Sequence, residues 1–167
     1  MREKVVVTGM GMISSLGLTL DENWSNLVAG KSGVKPITLF DASALATRIA
    51  AEVPSGFDEL WRQFIKKRAA GQMTRVSRMC VTAAKIAVGD AAVDFGQADR
   101  SRCSVIMGVV NTGNSSIERD TTPQNTVFKS MTNAMPAWIS LEYQLTGPNF
   151  AVNTACASSA YAIAFGC

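Results

Sequence analysis

Asn153-Thr154-Ala155-Cys156-Ala157-Ser158-Ser159 is the stretch on which the reading of this chain turns. Phe150-Ala151-Val152, short and apolar, leads into it. A run of small and apolar residues, 157–166, leads out. The pattern predicts a strand, a sharp turn and a helix, with Cys156 at the turn. At a helix start the first amides lack intrahelical partners and the positive end of the dipole is close, and both favour a thiolate. A thiolate is the form of cysteine that attacks a carbonyl or a thioester.

The residues alone leave a second reading open, because an unpaired cysteine is also a small buried hydrophobe. Cys80, on the apolar face of a helix, is assigned that structural role, and so are Cys103 and Cys167. For Cys156 the small flanking residues leave room around the sulfur, and nucleophile and core residue both stand. No CxxC pair is present and there is no histidine, which excludes the common Cys/His zinc sites, so no metal is expected. Nothing suggests a disulfide framework, and a reducing, cytoplasmic setting is expected.

Working outward, residues 149–154 read as a strand and 133–145 as a helix with Pro136 near its first turn. Residues 104–110 read as a buried strand and 74–93 as the clearest helix. Val76, Cys80, Ala83, Ala84, Ala87, Val88 and Ala91 share one face of that helix. Residues 47–53 form a loosely alternating second strand. Asp21 is the expected cap of a helix through Trp24, Leu27 and Val28, stopped by Gly30. Residues 4–8 read as a buried strand ended by glycine. Strands alternating with helices over 167 residues indicate an α/β domain with a largely buried sheet.

Gly9-Met10-Gly11 after a strand invites a dinucleotide site, but Ser14 stands at the third glycine position and no helix starts nearby. A tight turn is preferred and no cofactor is expected. Residues 143–167 carry no charge, but Gly147-Pro148 breaks them into two short elements, so no membrane span is expected. Apolar on every side, the helix after Cys156 is one enclosed by protein, and nothing in the chain obviously covers it. The sequence is therefore expected to be the front part of a larger folded unit. Residues 60–89 hold no acid but seven basic residues, including Lys66, Lys67, Arg68, Arg75 and Arg78. A solvated basic face and a surface for an acidic protein both fit. Nucleic acid fits poorly, with no interleaved aromatics and a net charge of only +3.

These residues line up in order with one family. Val5-Val6-Val7-Thr8-Gly9-Met10-Gly11 with Ser15-Leu16-Gly17, then Gly30-Lys31-Ser32-Gly33, Phe40-Asp41, Ser77-Arg78-Met79, Asn133-Ala134-Met135 and Leu145-Thr146-Gly147-Pro148 precede Thr154-Ala155-Cys156-Ala157-Ser158. Over nearly its whole length, 1–167, the chain resembles the N-terminal part of the β-ketoacyl–acyl carrier protein synthases. The resemblance implies the N-terminal half of a thiolase-like, layered αβαβα fold with a mixed sheet. It makes Cys156 the acyl-accepting nucleophile and its backbone N–H an oxyanion donor. It implies decarboxylative Claisen condensation with malonyl-carrier protein, in fatty acid or polyketide synthesis. It also implies a homodimer or a heterodimer with a related synthase, and an acidic carrier protein docked on Lys66, Lys67, Arg68, Arg75 and Arg78. Asn111 falls where many members place an apolar gate to the acyl pocket. Members are more than twice as long and use two histidines and a lysine from their later half, so this chain is not expected to condense unaided. A non-catalytic chain-length subunit or an inactive fragment is the alternative. Such subunits usually replace the cysteine, often with glutamine, and this chain retains it.

Overall fold

In the computed structural model, residues 4–110, 128–129 and 131–167 are described. The first helix, α1 (Leu20–Val28), is capped by Thr19, not Asp21: the Thr19 hydroxyl accepts from the Glu22 amide while the Glu22 carboxylate takes the Thr19 amide. This reciprocal arrangement satisfies two amides, which an Asp21 cap would leave to water. Gly30 ends the helix region at φ +67°, as its position suggested. Two short strands, β1 (Lys35–Pro36) and β2 (Ile49–Ala50), pair antiparallel, so the strand expected over 47–53 shrinks to two residues. The Glu52 carboxylate secures this ribbon, accepting from the amides of Thr38 and Leu39 and from the Thr38 hydroxyl.

The core begins at α2 (Phe57–Phe64). Phe57 and Trp61, one turn apart, point inward with Ile65 beyond them, and Asp58 and Glu59 lie at the positive end of the helix dipole. Phe57 is fully buried, and its burial contributes about 3 kcal/mol. A four-residue turn, α3 (Lys67–Ala70), connects to α4 (Arg75–Asp90), capped by the Thr74 hydroxyl on the Ser77 amide. Then follow a 3₁₀ turn (Arg100–Arg102), β3 (Val105–Gly108), α5 (Ala134–Tyr143), β4 (Asn149–Val152) and α6 (Ser158–Gly166). Strands β3 and β4 run parallel, Val105 opposite Asn149 through Gly108 opposite Val152. Val81, Val105 and Ile139 join α4, β3 and α5 to the α2 cluster. The Lys85 ammonium ties three helices together, donating to the Phe64 carbonyl (2.7 Å) and pairing with Glu142.

Two expectations need correction. Residues 4–8 join no ladder among the described residues, and Val5, Val6 and Val7 are 59%, 70% and 80% exposed. A β-branched run predicts extension, while a strand also needs a neighbouring edge to pair with. The second concerns α4, whose deepest residues are Ser77, Val81 and Thr82, not the predicted alanine face. That face is half-buried because the N-terminal segment crosses it. The Met10 amide reaches the Asp90 carboxylate at 2.8 Å, and Gly9 and Gly11 press on the backbone of Ala83, Ala87 and Ala91. The Gly-Met-Gly motif is thus a close approach of backbone to helix.

A Cβ at Gly11 would stand 2.9 Å from the Ala87 amide nitrogen and closer still to the Ala83 carbonyl. Gly11→Ala should therefore cost about 1–3 kcal/mol, read as a lowered denaturation midpoint. An unchanged midpoint would show that the segment does not pack on α4 in solution.

Candidate active site

Ladder and helix meet at Cys156. The last β3–β4 contacts are the Val109 amide on the Val152 carbonyl (2.9 Å) and the Asn153 side-chain amide on the Val110 carbonyl (3.3 Å). The chain then reverses through Ala155 at φ +51°, a left-handed conformation that a residue with a Cβ adopts at a cost. Ala157 (φ −87°, ψ −3°) leads into α6 at Ser158, one residue later than the small-residue run suggested. Four of the five amides from 154 to 158 are taken. Thr154 N–H goes to the Ser158 hydroxyl (2.9 Å), Ala155 N–H to the Asn153 side-chain oxygen, Ala157 N–H to the Thr154 carbonyl and Ser158 N–H to the Ala155 carbonyl. The fifth, on Cys156, donates to no described residue.

Cys156 is exposed, unlike the packed core cysteine of one of its two sequence readings. Cys80 behaves as expected: its thiol lies 3.6 Å from the Met135 sulfur, and burial pushes its pKa up to about 11. Cys103 is half-buried, with its thiol on the Asp99 carbonyl. Cys167 is a correction: it is exposed, not buried, because no described residue packs over the end of α6. Along α6 only Ser158 and Ala162 are buried, while Tyr161, Ile163 and Phe165 stand 50%, 68% and 61% exposed.

Sequence reasoning missed two partners of the turn. In the sequence Ser158 is only a small residue beside the sulfur, yet it is 2% exposed and bonds both sides of the turn. Gly108 lies inside the strand expected over 104–110, but a Cβ there would stand 2.5 Å from the Ser159 Cα, so the start of α6 rests directly on β3. The signal for both was a small residue at a strand–helix crossing, which has many other meanings. Asn111 lies outside the described residues.

The basic residues separate into two groups. Lys66, Lys67 and Arg68 are exposed at the α2–α3 corner, beside a cavity of about 450 Å³ lined by Trp61, Arg62, Ile65 and Lys67. Arg75 pairs with Asp58 (3.5 Å) and covers the Phe57 ring, and Arg78 lies over Trp61 and donates to the Met73 carbonyl. Desolvation there lowers the Arg78 pKa from its ordinary value. An apolar recess of about 310 Å³ lies along α5, against Ala134, Ala137, Trp138 and Leu141. The cysteine turn contributes none of its walls. No described helix is long and apolar enough to cross a membrane.

This geometry has counterparts. The family model "Beta-ketoacyl synthase, N-terminal domain" matches residues 2–167, and the chain belongs to that family. It is similar to a 3-oxoacyl-[acyl-carrier-protein] synthase 2 of Coxiella burnetii, at 31% identity over 97% of this chain and 41% of that protein. A chloroplastic 3-oxoacyl-[acyl-carrier-protein] synthase I of Hordeum vulgare is 32% identical over 96% of this chain and 37% of its own length. The solved ishigamide ketosynthase/chain length factor superposes with TM-score 0.82 at 27% identity, covering 96% of this chain and 42% of that one. The fold is accordingly α/β and thiolase-like, as in the ketosynthases. The chain spans about 41% of the length of the Coxiella relative.

Exposure and pKa together predict selective labelling. In native protein at pH 8, roughly one Cys80 in a thousand is a thiolate, so iodoacetamide should modify Cys156 and leave Cys80 untouched until the protein unfolds. Peptide mapping that finds Cys80 labelled as fast as Cys156 would contradict both assignments.

Proposed function

We propose that this chain supplies the nucleophile of a β-ketoacyl–acyl carrier protein synthase, an acyltransferase carrying out decarboxylative Claisen condensation. The observation that carries the reading is an exposed Cys156 on a left-handed turn, with its amide donating to no described residue. In the first half-reaction the Cys156 thiolate attacks the carbonyl of an acyl thioester. Negative charge gathers on the carbonyl oxygen, and the Cys156 N–H donates a hydrogen bond to it. The carbon–sulfur bond to the carrier breaks, the carrier thiolate leaves, and the acyl group stays on Cys156. In the second, malonyl-carrier protein loses carbon dioxide and its carbanion equivalent attacks the same carbonyl, returning Cys156 as thiolate. Stabilising that enolate needs donors, and the chain has no histidine to offer. The condensing half therefore requires groups outside these 167 residues.

Lys66, Lys67 and Arg68 form the exposed end of a docking surface for an acidic carrier protein. Arg75 and Arg78 buttress it from behind through Phe57 and Trp61. The protein works in the cytoplasm as a homodimer or beside a related synthase, without a metal or cofactor, and the family resemblance gives Asn111 the role of acyl-pocket gate. The name of the ishigamide neighbour includes a chain length factor, which favours a second reading as a non-catalytic partner subunit. The retained cysteine in its exposed turn favours the catalytic one.

In the full-length protein, Cys156→Ala should reduce condensation by about 10³-fold or more, assayed with acyl- and malonyl-carrier protein. Condensation that survives the substitution would remove the catalytic reading. Reversing two corner charges, Lys66→Glu with Lys67→Glu, should raise KM for carrier-protein substrate about tenfold at low salt. Turnover of a small acyl thioester should not change. An equal effect on both substrates would place docking elsewhere.

A further inference from the structure

We propose that Ser158 is a positioning residue for acyl transfer, aiming the Cys156 amide at the substrate oxygen; this rests on the nucleophilic role proposed for Cys156. The Ser158 hydroxyl accepts from the Thr154 amide at 2.9 Å and donates to the Ala155 carbonyl at 2.7 Å, closing the turn from both sides. The Ser158 amide holds the same carbonyl at 3.1 Å. The Ala155 carbonyl and the Cys156 N–H belong to one peptide unit. That unit is planar and trans, so its C=O and N–H point in opposite directions. Pinning the carbonyl inward with two donors therefore turns the Cys156 N–H outward, to the exposed side where the thiol stands.

Two further features show that this clamp is needed and fixed in place. Ala155 sits at φ +51°, which an alanine leaves readily unless its surroundings hold it there. Ser158 is only 2% exposed, and the α6 start rests on Gly108, where no side chain could fit. The hydroxyl is thus held by the sheet below and holds the turn above. It touches no reacting atom. Its effect passes through the direction of one N–H.

The test separates two reactions of the same sulfur. Attack on a thioester develops an oxyanion and needs the amide donor, whereas alkylation by iodoacetamide is a displacement at carbon and does not. In the full-length protein, Ser158→Ala should slow acyl transfer from acyl-carrier protein to Cys156 by about 10- to 100-fold, in kcat and not in KM. Iodoacetamide labelling of Cys156 should stay within about threefold of the wild-type rate. Ala155→Gly supplies a coupled check, because glycine takes positive φ unaided. In that background, adding Ser158→Ala should cost less acyl transfer than it costs alone. Should Ser158→Ala fail to accumulate as folded protein, Ser158→Thr decides, since it keeps the hydroxyl and should retain acyl transfer within about threefold. Acyl transfer unchanged by Ser158→Ala, parallel loss of both reactions, strictly additive effects, or a tenfold loss in Ser158→Thr would each overturn the inference while leaving Cys156 as the nucleophile. A wild-type protein that takes no acyl group on Cys156 would overturn both.

Discussion

One backbone conformation shapes the cysteine turn of this chain: Ala155 held left-handed between a strand and a helix. With Ala155 in an ordinary extended or helical conformation, the chain would not reverse between β4 and α6, and Cys156 would not stand exposed at their junction. The strain is sustained from three directions. The parallel register of β3 and β4 sets where the strand ends. Gly108 lets the first turn of α6 sit directly on β3. The hydrogen bonds of Asn153 and Ser158 take up the neighbouring polar groups and leave the Cys156 amide without a described partner. In the proposed reaction, a nucleophile held this way needs little reorganisation when charge develops beside it.

The rest of the fold keeps that junction in place. Core residues of α2, α4, α5 and β3 form one cluster around Phe57, Trp61, Val81, Val105 and Ile139, and Lys85 of α4 joins the C-terminal ends of α2 and α5. Arginines do structural work in the same region. Arg75 and Arg78 lie on aromatic rings, which lets cationic side chains cover apolar surface. The positive charge presented to solvent therefore comes from the α2–α3 corner and not from the whole basic run.

Much of this was legible in the residues, and what was not has identifiable causes. Helix α4 could be read from its periodicity, and the order strand–helix–strand–turn–helix around Cys156 from small-residue runs and glycine-proline breaks. The exposed turn cysteine was one of two readings, separable only by burial. The N-terminal valines read as a strand because β-propensity reports extension and says nothing about a pairing edge. Thr19 displaced Asp21 as the α1 cap because Glu22 completes a two-way capping box with it. Ser158 and Gly108 escaped notice because their roles depend on which two elements cross, and single residues of small size do not declare that.

Acyl transfer to the Cys156 sulfur is read by mixing the full-length protein with acyl-carrier protein, omitting the malonyl partner, quenching in acid and determining the mass of the peptide that carries Cys156. One acyl group is expected on that peptide, removed by hydroxylamine. An unmodified Cys156 peptide, or the acyl group found on Cys80, Cys103 or Cys167, would contradict a nucleophilic role for Cys156.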